Sequence, residues 1–286
     1  MNEAALEPRP FEAGAEPALS GERLGEGSPV VLCHGLTATR NQVVHGSLAL
    51  PRRGHEVVLY DARGHGQSEP ASPEQSYDYP SMVGDLEAVI EETVGERSFV
   101  LGGHSMGSHT AVSYALANPE RVAGLVVVGP VYPGRADRTA EEEVLASWDE
   151  LAAGLEEGGI GGFLAVLERQ IDPAWRDPVR RFTRARMKAH RDLGAVARAL
   201  REVPRSRPYE TLDELEFLDL PALVVASHDV ADPGHPYAVA EAYAGKLPQA
   251  RLVSEDEGDA PLAWRGGLIS REIAAFCEQP EVSARL

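Results

Sequence analysis

Residues 99–116 read FVLGGHSMGSHTAVSYAL, and this stretch decides the fold of the chain. An apolar run leads into a G-x-S-x-G pattern centred on Ser105, and a helical pattern follows it. Glycines on both sides permit a sharp turn from strand to helix that lifts the serine hydroxyl out of the sheet. The start of the helix directs its free N–H groups and the positive end of its dipole to the same place. The stretch therefore predicts a nucleophile elbow with Ser105 at its tip.

Short apolar runs alternate with helical patterns along the chain. The runs are continuous Val, Leu and Ala rather than alternating apolar and polar, which is typical of parallel strands covered on both faces. The predicted strands are Pro29–Cys33, Glu56–Tyr60, Ser98–Gly102, Val122–Gly129, Ala222–Ala226 and Ala250–Val253. The predicted helices are Ser81–Val94, Met106–Asn118, Tyr237–Leu247 and Leu268–Glu278. The alternation predicts an α/β fold with a mostly parallel central sheet flanked by helices.

The alternation stops after Gly134. Residues 135–205 contain helical stretches without a strand pattern, and this length exceeds an ordinary connection. We therefore expect residues 1–24 to hold an extension with the first strands, 25–134 and 206–286 to form the two parts of the core, and 135–205 to form a helical cap. Trp148, Phe163 and Trp175 lie in the cap, where helical spacing favours core packing over a role in lining a pocket.

The composition indicates a globular protein that avoids polyanions. The 286 residues are 43% hydrophobic and 25% charged, with a formal net charge of −18. A chain this acidic would repel phosphate backbones and anionic membranes, so nucleic acid and membrane are not expected as partners. The two cysteines are too few and too distant for a disulfide framework. With no apolar signal region or membrane-length run, we expect a cytoplasmic location.

Two further motifs follow predicted strands. His34-Gly35 closes the strand PVVLC, and the next residue, Leu36, offers its backbone N–H. Together with the N–H of Met106, this would supply two donors to a developing oxyanion. His34 itself we interpret as a structural residue that orients the loop. The second motif is DARGHGQS at 61–68, which we interpret as a turn braced between aspartate and arginine behind the site.

The three motifs, HG at 34–35, DARGHGQS at 61–68 and GHSMG at 103–107, together resemble the α/β-hydrolase superfamily in order and spacing. The resemblance runs from about residue 25 to the C-terminus and includes an insertion where that family carries its cap. It implies a serine nucleophile at Ser105, whereas haloalkane dehalogenases and epoxide hydrolases carry aspartate at that position. Esterases, thioesterases, peptidases, lactonases and C–C hydrolases share these motifs, so the substrate stays open.

The resemblance implies an acid after the next strand and a histidine after the last one. Asp232-Pro233 matches the acid pattern best, with Asp229 as the alternative. On the last loop, where the family carries Gly-His-x-Pro, this chain reads Gly258-Asp259-Ala260-Pro261. Asp259 therefore stands in the place of the catalytic histidine, and no histidine follows it. Loss of such a base costs on the order of a millionfold in turnover in a serine protease.

Several groups are candidates for a substitute base. His228 and His235 share the loop of Asp232, His109 lies one helical turn after Ser105, and His190 would need the cap to fold it inward. Asp259 itself is another candidate, because two carboxylates forced together at Asp232 and Asp259 would split their titrations. Such a pair would equally suit a substrate ammonium or a metal ion.

Two classes of function follow. The first is a serine hydrolase that forms an acyl-enzyme from a small ester, thioester or lactone with a non-standard base, and the sequence favours this enzyme over the alternative. The second is a non-hydrolytic protein on the same scaffold, either a small-molecule binder or an acyltransferase- or cyclase-like enzyme with a degenerate triad. No cofactor motif or cysteine–histidine metal cluster is present in the sequence, so we expect no cofactor and no metal. The oligomeric state stays open.

Overall fold

The computed structural model describes residues 6–134, 138–228 and 232–286. Eight strands within these ranges form one sheet in the spatial order β1-β2-β4-β3-β5-β6-β7-β8. They are β1 Arg9–Ala13, β2 Leu19–Leu24, β3 Ser28–Cys33, β4 His55–Tyr60, β5 Phe99–His104, β6 Val122–Val128, β7 Pro221–Val225 and β8 Gln249–Val253. Only the pairs β1–β2 and β2–β4 among them are antiparallel. The predicted mostly parallel α/β sheet is confirmed.

The helices alternate with the parallel strands. They are α1 Tyr79–Thr93, α2 Met106–Ala117, α3 Arg138–Leu167, α4 Arg176–Met187, α5 Leu193–Glu202, α6 Tyr237–Lys246, α7 Gly266–Cys277 and α8 Pro280–Ser283. Aspartate side chains cap the N-termini of two of these helices. The carboxylate of Asp78 accepts the Ser81 N–H at the start of α1, and that of Asp192 accepts the Ala195 N–H at the start of α5. The predicted elements are present, with ends that differ by one or two residues.

The sheet is covered on both faces because successive strand residues point to opposite sides. In β3, Val31 and Cys33 join an apolar cluster with α1, α2 and α6. Val30 and Leu32 join a second cluster with α7 and α8 on the other face. Runs of β-branched residues suit such doubly buried strands, which explains why the sequence reads as continuous apolar segments.

Helices α3, α4 and α5 lie between β6 and β7, in the stretch where the sequence predicts an insertion. Their own apolar cluster contains Phe163 with Trp148 packed against it, so these aromatics pack as the helical spacing predicts. Leu36 of the core contacts the same cluster. The inserted helices therefore pack over the loop that follows β3. The exact boundaries of a cap stay a prediction.

The turn at residues 61–68 is braced by aspartate and arginine, but not in the predicted pairing. Asp61 accepts hydrogen bonds from the backbone and the guanidinium of Arg40, at 2.7 and 3.1 Å. Arg63 instead forms a two-point pair with Asp85 of α1, at 2.6 and 2.7 Å. The two residues are neighbours in sequence, and their side chains leave the turn in different directions. A sequence shows such neighbours without showing their partners.

The carboxyl ends of β3, β5, β6 and β7 meet at one edge of the sheet, since these strands are parallel. Backbone bonds extend the sheet slightly beyond the strand ends there. Ser105 N–H donates to Val128 at 2.9 Å, and Gly129 N–H donates to Val225 at 2.9 Å. The loops after β3, β5 and β7 therefore gather around Ser105. Across the described ranges, we find no helix with the length and apolarity required for a membrane span.

Candidate active site

Ser105 lies at a strained turn between β5 and α2. Its φ of 52° and ψ of −118° place a non-glycine residue in a region that side chains rarely adopt. The flanking glycines are required by close backbone contacts. A Cβ on Gly103 would lie 2.2 Å from Gly107, and one on Gly107 would lie 2.2 Å from the Cys33 carbonyl. The sequence therefore folds locally as predicted, and Ser105 is half-buried at the edge of the sheet.

The loop after β3 lies directly beside the serine. A Cβ on Gly35 would lie 3.3 Å from the Ser105 Cβ. Among the described residues, neither the Leu36 N–H nor the Met106 N–H has a hydrogen-bond acceptor. Thr37 has a φ of 64°, so the chain turns sharply after Leu36. Two backbone donors without partners among the described residues therefore lie beside the serine, one on the loop after β3 and one at the start of α2.

Three buried histidines brace the loops on this side of the site: His34, His65 and His190, called the braced histidines below. In each ring one nitrogen accepts a backbone N–H, so the other carries the proton and donates to a backbone carbonyl. The amide donors belong to Ala62, Thr37 and Gly66, and the carbonyl acceptors to Gly35, Arg63 and Thr37, respectively. Burial lowers the pKa of His34 to about 4 and lowers the pKa values of the other two as well. These rings are neutral and have no nitrogen to spare, and His190 ties the inserted helices to the core.

His109 is held in the same way. Its Nε2 accepts the backbone N–H groups of Val131 and Tyr132 at 3.1 and 3.2 Å, so Nδ1 donates to the Tyr79 hydroxyl at 2.9 Å. Burial lowers its pKa to about 3. His109 is a candidate for the substitute base from the sequence, but both of its ring nitrogens are engaged by these groups instead. It is not available as a base.

His228 is also engaged elsewhere. Its Nε2 donates to the Glu255 carbonyl at 3.1 Å, and its ring stacks on Tyr237 at a centroid distance of 5.6 Å. The buried Glu255 carboxylate accepts the backbone N–H groups of His228 and Leu262, both at 2.7 Å. His228 therefore joins the loop after β7 to the loop after β8.

Asp232 and His235 form a hydrogen-bonded pair on the loop after β7. The Asp232 carboxylate lies 2.8 Å from the His235 Nδ1, so Nδ1 carries the proton and Nε2 is left as an acceptor. Both side chains are mostly buried, at 12% and 19% exposure. Burial acts to raise the pKa of Asp232, but contact with His235 and the charge of Arg186 outweigh it and hold that pKa below its ordinary value. The other acid candidate, Asp229, lies outside the described residues.

The ring of His235 packs on the ring of His104, the residue before Ser105. The two centroids are 4.8 Å apart. The His104 Nε2 is buried without a hydrogen-bond partner, and burial lowers the pKa of that ring to about 3. Asp232, His235 and His104 thus form a contiguous group that ends at the serine. His104 belongs to the quoted motif, but its role did not follow from the pattern.

Asp259 is not part of this group. Its side chain is 54% exposed and pairs with Arg265 at 2.8 Å. Asp259 and Asp232 therefore do not form the pair of carboxylates that was a candidate from the sequence. Asp232 bonds to His235, and Asp259 bonds to Arg265. Among the described residues, no three His, Cys, Asp or Glu side chains are arranged to hold a metal ion.

Arg186 of α4 also acts on the site, although no sequence pattern singles it out. Its guanidinium lies 5.7 Å from the Phe182 ring, which lies 5.6 Å from the ring of His45. Its charge acts on His104 and Asp232. The arginine-rich sequence of α4 looks like an exposed helix face, and only the packing of α4 distinguishes Arg186 from its neighbours.

The Ser105 hydroxyl itself forms no hydrogen bond with another described residue. No imidazole nitrogen among those residues lies in hydrogen-bonding position to it. The site therefore has an elbow, two free amides and an aspartate–histidine pair, but its serine and imidazole are not joined in this state.

Residues 28–265 match a family model described as alpha/beta hydrolase fold. Epoxide hydrolase B from Mycobacterium tuberculosis is 34% identical over 110 residues, which are 38% of this chain and 31% of that protein. The chain spans only about a third of the length of the first curated relatives. A non-heme chloroperoxidase from Streptomyces lividans is 27% identical over 88% of this chain and 92% of its own. A malate-bound esterase from Thermogutta terrifontis superposes with a TM-score of 0.74 at 21% identity, over 94% of this chain and 97% of its own, which shows the fold alone.

Proposed function

The chain belongs to the alpha/beta hydrolase fold family, and we propose that it is a serine-dependent hydrolase of small carboxylic esters in which His235 replaces the missing base. The observation that carries this proposal is the Asp232–His235 pair. Its 2.8 Å hydrogen bond to Nδ1 leaves Nε2 free to accept a proton. This is the tautomer that a general base requires, and it lies on a ring packed beside the residue that precedes Ser105.

In the proposed reaction, the Ser105 oxygen attacks the carbonyl carbon of the ester and its proton passes to the His235 Nε2. Asp232 stabilises the resulting imidazolium. The carbonyl oxygen becomes an oxyanion that accepts hydrogen bonds from the backbone N–H groups of Leu36 and Met106. Removal of one such donor raises the activation free energy by about 3–4 kcal/mol. Collapse breaks the C–O bond of the leaving alcohol, which takes the proton from His235. Water, deprotonated by the same nitrogen, then hydrolyses the acyl-enzyme.

The geometry sets one requirement on this mechanism. Ser105 and His235 are not hydrogen-bonded before substrate binds, so the imidazole has to turn toward the serine when the ester occupies the site. Catalytic hydrogen bonds are often long or misaligned in ligand-free enzymes and tighten in the substrate complex. The open acceptor at Nε2 provides for that movement, since it has no competing donor among the described residues.

The test is covalent labelling with a fluorophosphonate probe. We expect the probe to modify Ser105, and Ser105→Ala to abolish both labelling and the hydrolysis of 4-nitrophenyl butyrate. The mutant should keep its melting temperature within a few degrees, because the side chain makes no hydrogen bond with a described residue. Hydrolysis that persists in Ser105→Ala would rule out the serine mechanism.

One observation favours a second candidate, a small-molecule binder without turnover. The Ser105 hydroxyl has no imidazole partner among the described residues, and the family's histidine position carries an exposed Asp259. Under this alternative, wild-type protein resists the probe and hydrolyses no ester, yet small metabolites raise its melting temperature. Transfer of the acyl group to an acceptor other than water would use the same residues as the first candidate.

A further inference from the structure

Arg186 is a cation in the site without a full set of partners. Its Nε is buried and lacks a hydrogen-bond acceptor. Among the described residues, no carboxylate lies within ion-pair distance of its guanidinium, although many other arginines of this acidic chain have such a partner. The side chain as a whole is half-buried. Its Nε–H group, buried without an acceptor, costs free energy because it loses water without gaining a hydrogen bond.

The charge of Arg186 is felt mainly by neutral rings. The rings whose pKa it lowers are those of His34, His45, His104 and His190, and it also lowers the pKa of the Asp232 carboxylate. The one carboxylate that acts on it is Asp232, whose Oδ1 is already bonded to His235. Burial still lowers the pKa of Arg186 to about 10, so Asp232 does not compensate for the lost hydration. The described residues therefore give the buried Nε of Arg186 no acceptor.

We infer that Arg186 binds a carboxylate of the substrate, so that the esters this site takes are anionic ones. The inference rests on the proposed function for the reaction, but Arg186 would select the substrate whatever the base. A planar guanidinium matches a carboxylate with two parallel hydrogen bonds, and burial strengthens such a pair. The charge of Arg186 acts on His104, the residue before Ser105, and its guanidinium packs over the Phe182 ring, which in turn contacts the ring of His45. The substrate class is therefore a short monoester of a dicarboxylic acid, or an ester with a carboxylate close to the scissile bond.

The experiment compares two esters of similar size, 4-nitrophenyl butyrate and 4-nitrophenyl hydrogen glutarate, by kcat/KM. Wild type should prefer the anionic ester. In Arg186→Met that preference should fall by about 10- to 100-fold, which is typical for loss of a charged hydrogen-bonded contact. Arg186→Lys should retain part of it, because the charge remains while the two-point geometry is lost. Arg181→Gln is the matched control, since it removes an exposed charge from the same helix, and it should keep the wild-type preference.

A second readout does not depend on turnover. Glutarate should raise the melting temperature of wild-type protein and of Ser105→Ala, but not that of Arg186→Met. Arg186→Met should itself melt at or above the wild-type temperature, because it removes a buried N–H group that has no acceptor. If no ester is hydrolysed but glutarate still stabilises through Arg186, the proposed function fails and this inference stands. An unchanged ester preference in Arg186→Met, or an equal loss in Arg181→Gln, would overturn it.

Discussion

The histidines on the two sides of Ser105 differ in what remains open on their rings. On one side, the braced histidines use both nitrogens, one accepting a backbone amide and one donating to a carbonyl. On the other side, His104 has a buried nitrogen without a partner, and His235 has one nitrogen bound to Asp232 and the other free. A ring with both nitrogens engaged stabilises a loop and cannot move a proton. Hydrogen bonds at both ring nitrogens thus identify the braced histidines as structural, although they lie close to the serine.

The loops after β7 and β8 differ in a related way. The loop after β7 carries Asp232 and His235, both mostly buried and facing inward. The loop after β8 carries Asp259, which pairs with Arg265 at the surface. We call the loop after β7 the inner loop and the loop after β8 the outer loop. We interpret the inner loop as supplying both the acid and the base, so that the outer loop supplies no catalytic side chain.

The largest effect on this comparison should come from His235→Gln. Glutamine can still donate to Asp232 through its amide, but it cannot accept and return a proton. We expect kcat for 4-nitrophenyl butyrate to fall about 100-fold or more, within the range for loss of a general base. Stopped-flow or steady-state assays at matched protein concentration measure it.

His228→Gln is the matched control for that change, because His228 lies on the same stretch of chain and uses its ring nitrogen on a backbone carbonyl. Its kcat should stay close to wild type, with a modest loss of thermal stability. Equal losses of kcat in both mutants would mean that the loop geometry matters rather than the imidazole of His235.

A smaller effect should appear as acid destabilisation by the braced histidines. Their pKa values are lowered by burial in the folded protein, so the unfolded chain binds protons first. The stability they provide is complete above pH 6.5 and is lost as the pH falls toward about 4 for His34. A proton on the accepting nitrogen would face a backbone N–H and break that bond. Burial raises the pKa of Asp85, so protonation of this one carboxyl group stabilises the folded protein as the pH falls and opposes the effect of the histidines.

Urea denaturation across that pH range measures the effect. We expect the free energy of unfolding to drop by on the order of a few kcal/mol. Asp78, whose pKa is lowered from 3.8, titrates below this range. The buried rings of His104 and His109, whose pKa values are lowered to about 3, add to the drop in the same sense. A free energy of unfolding that stays constant over this range would contradict the neutral state assigned to these rings.

The sequence predicts the scaffold well because its signals are local. Local structure is determined by the apolar runs, by the glycines around Ser105 and by Asp78 at the N-terminus of α1. Each of these signals depends on residues close to it in the sequence. The chemistry of the site depends instead on contacts across the fold. His109 has the right spacing but the wrong neighbours, and Arg186 differs from Arg181 only in how α4 packs. Asp259 occupies the expected position in the pattern, while the pairing of Asp232 with His235 appears only when the loop after β7 is folded.

The smallest effect, and the one that separates the two loops most directly, should come from Asp259→His. If the outer loop had only lost a histidine, restoring it would rebuild a triad and raise kcat by orders of magnitude. In this structure position 259 is at the surface beside Arg265, and the Asp232 oxygen that would orient the new ring is bonded to His235. We therefore expect kcat for 4-nitrophenyl butyrate to change by less than about threefold, because surface substitutions away from such contacts have small effects. The kcat of the double mutant Asp259→His with His235→Gln is compared with that of each single mutant. Recovery of activity in the double mutant alone would show that the two loops compete for the same aspartate, whereas a gain in the single mutant would contradict the assignment of His235.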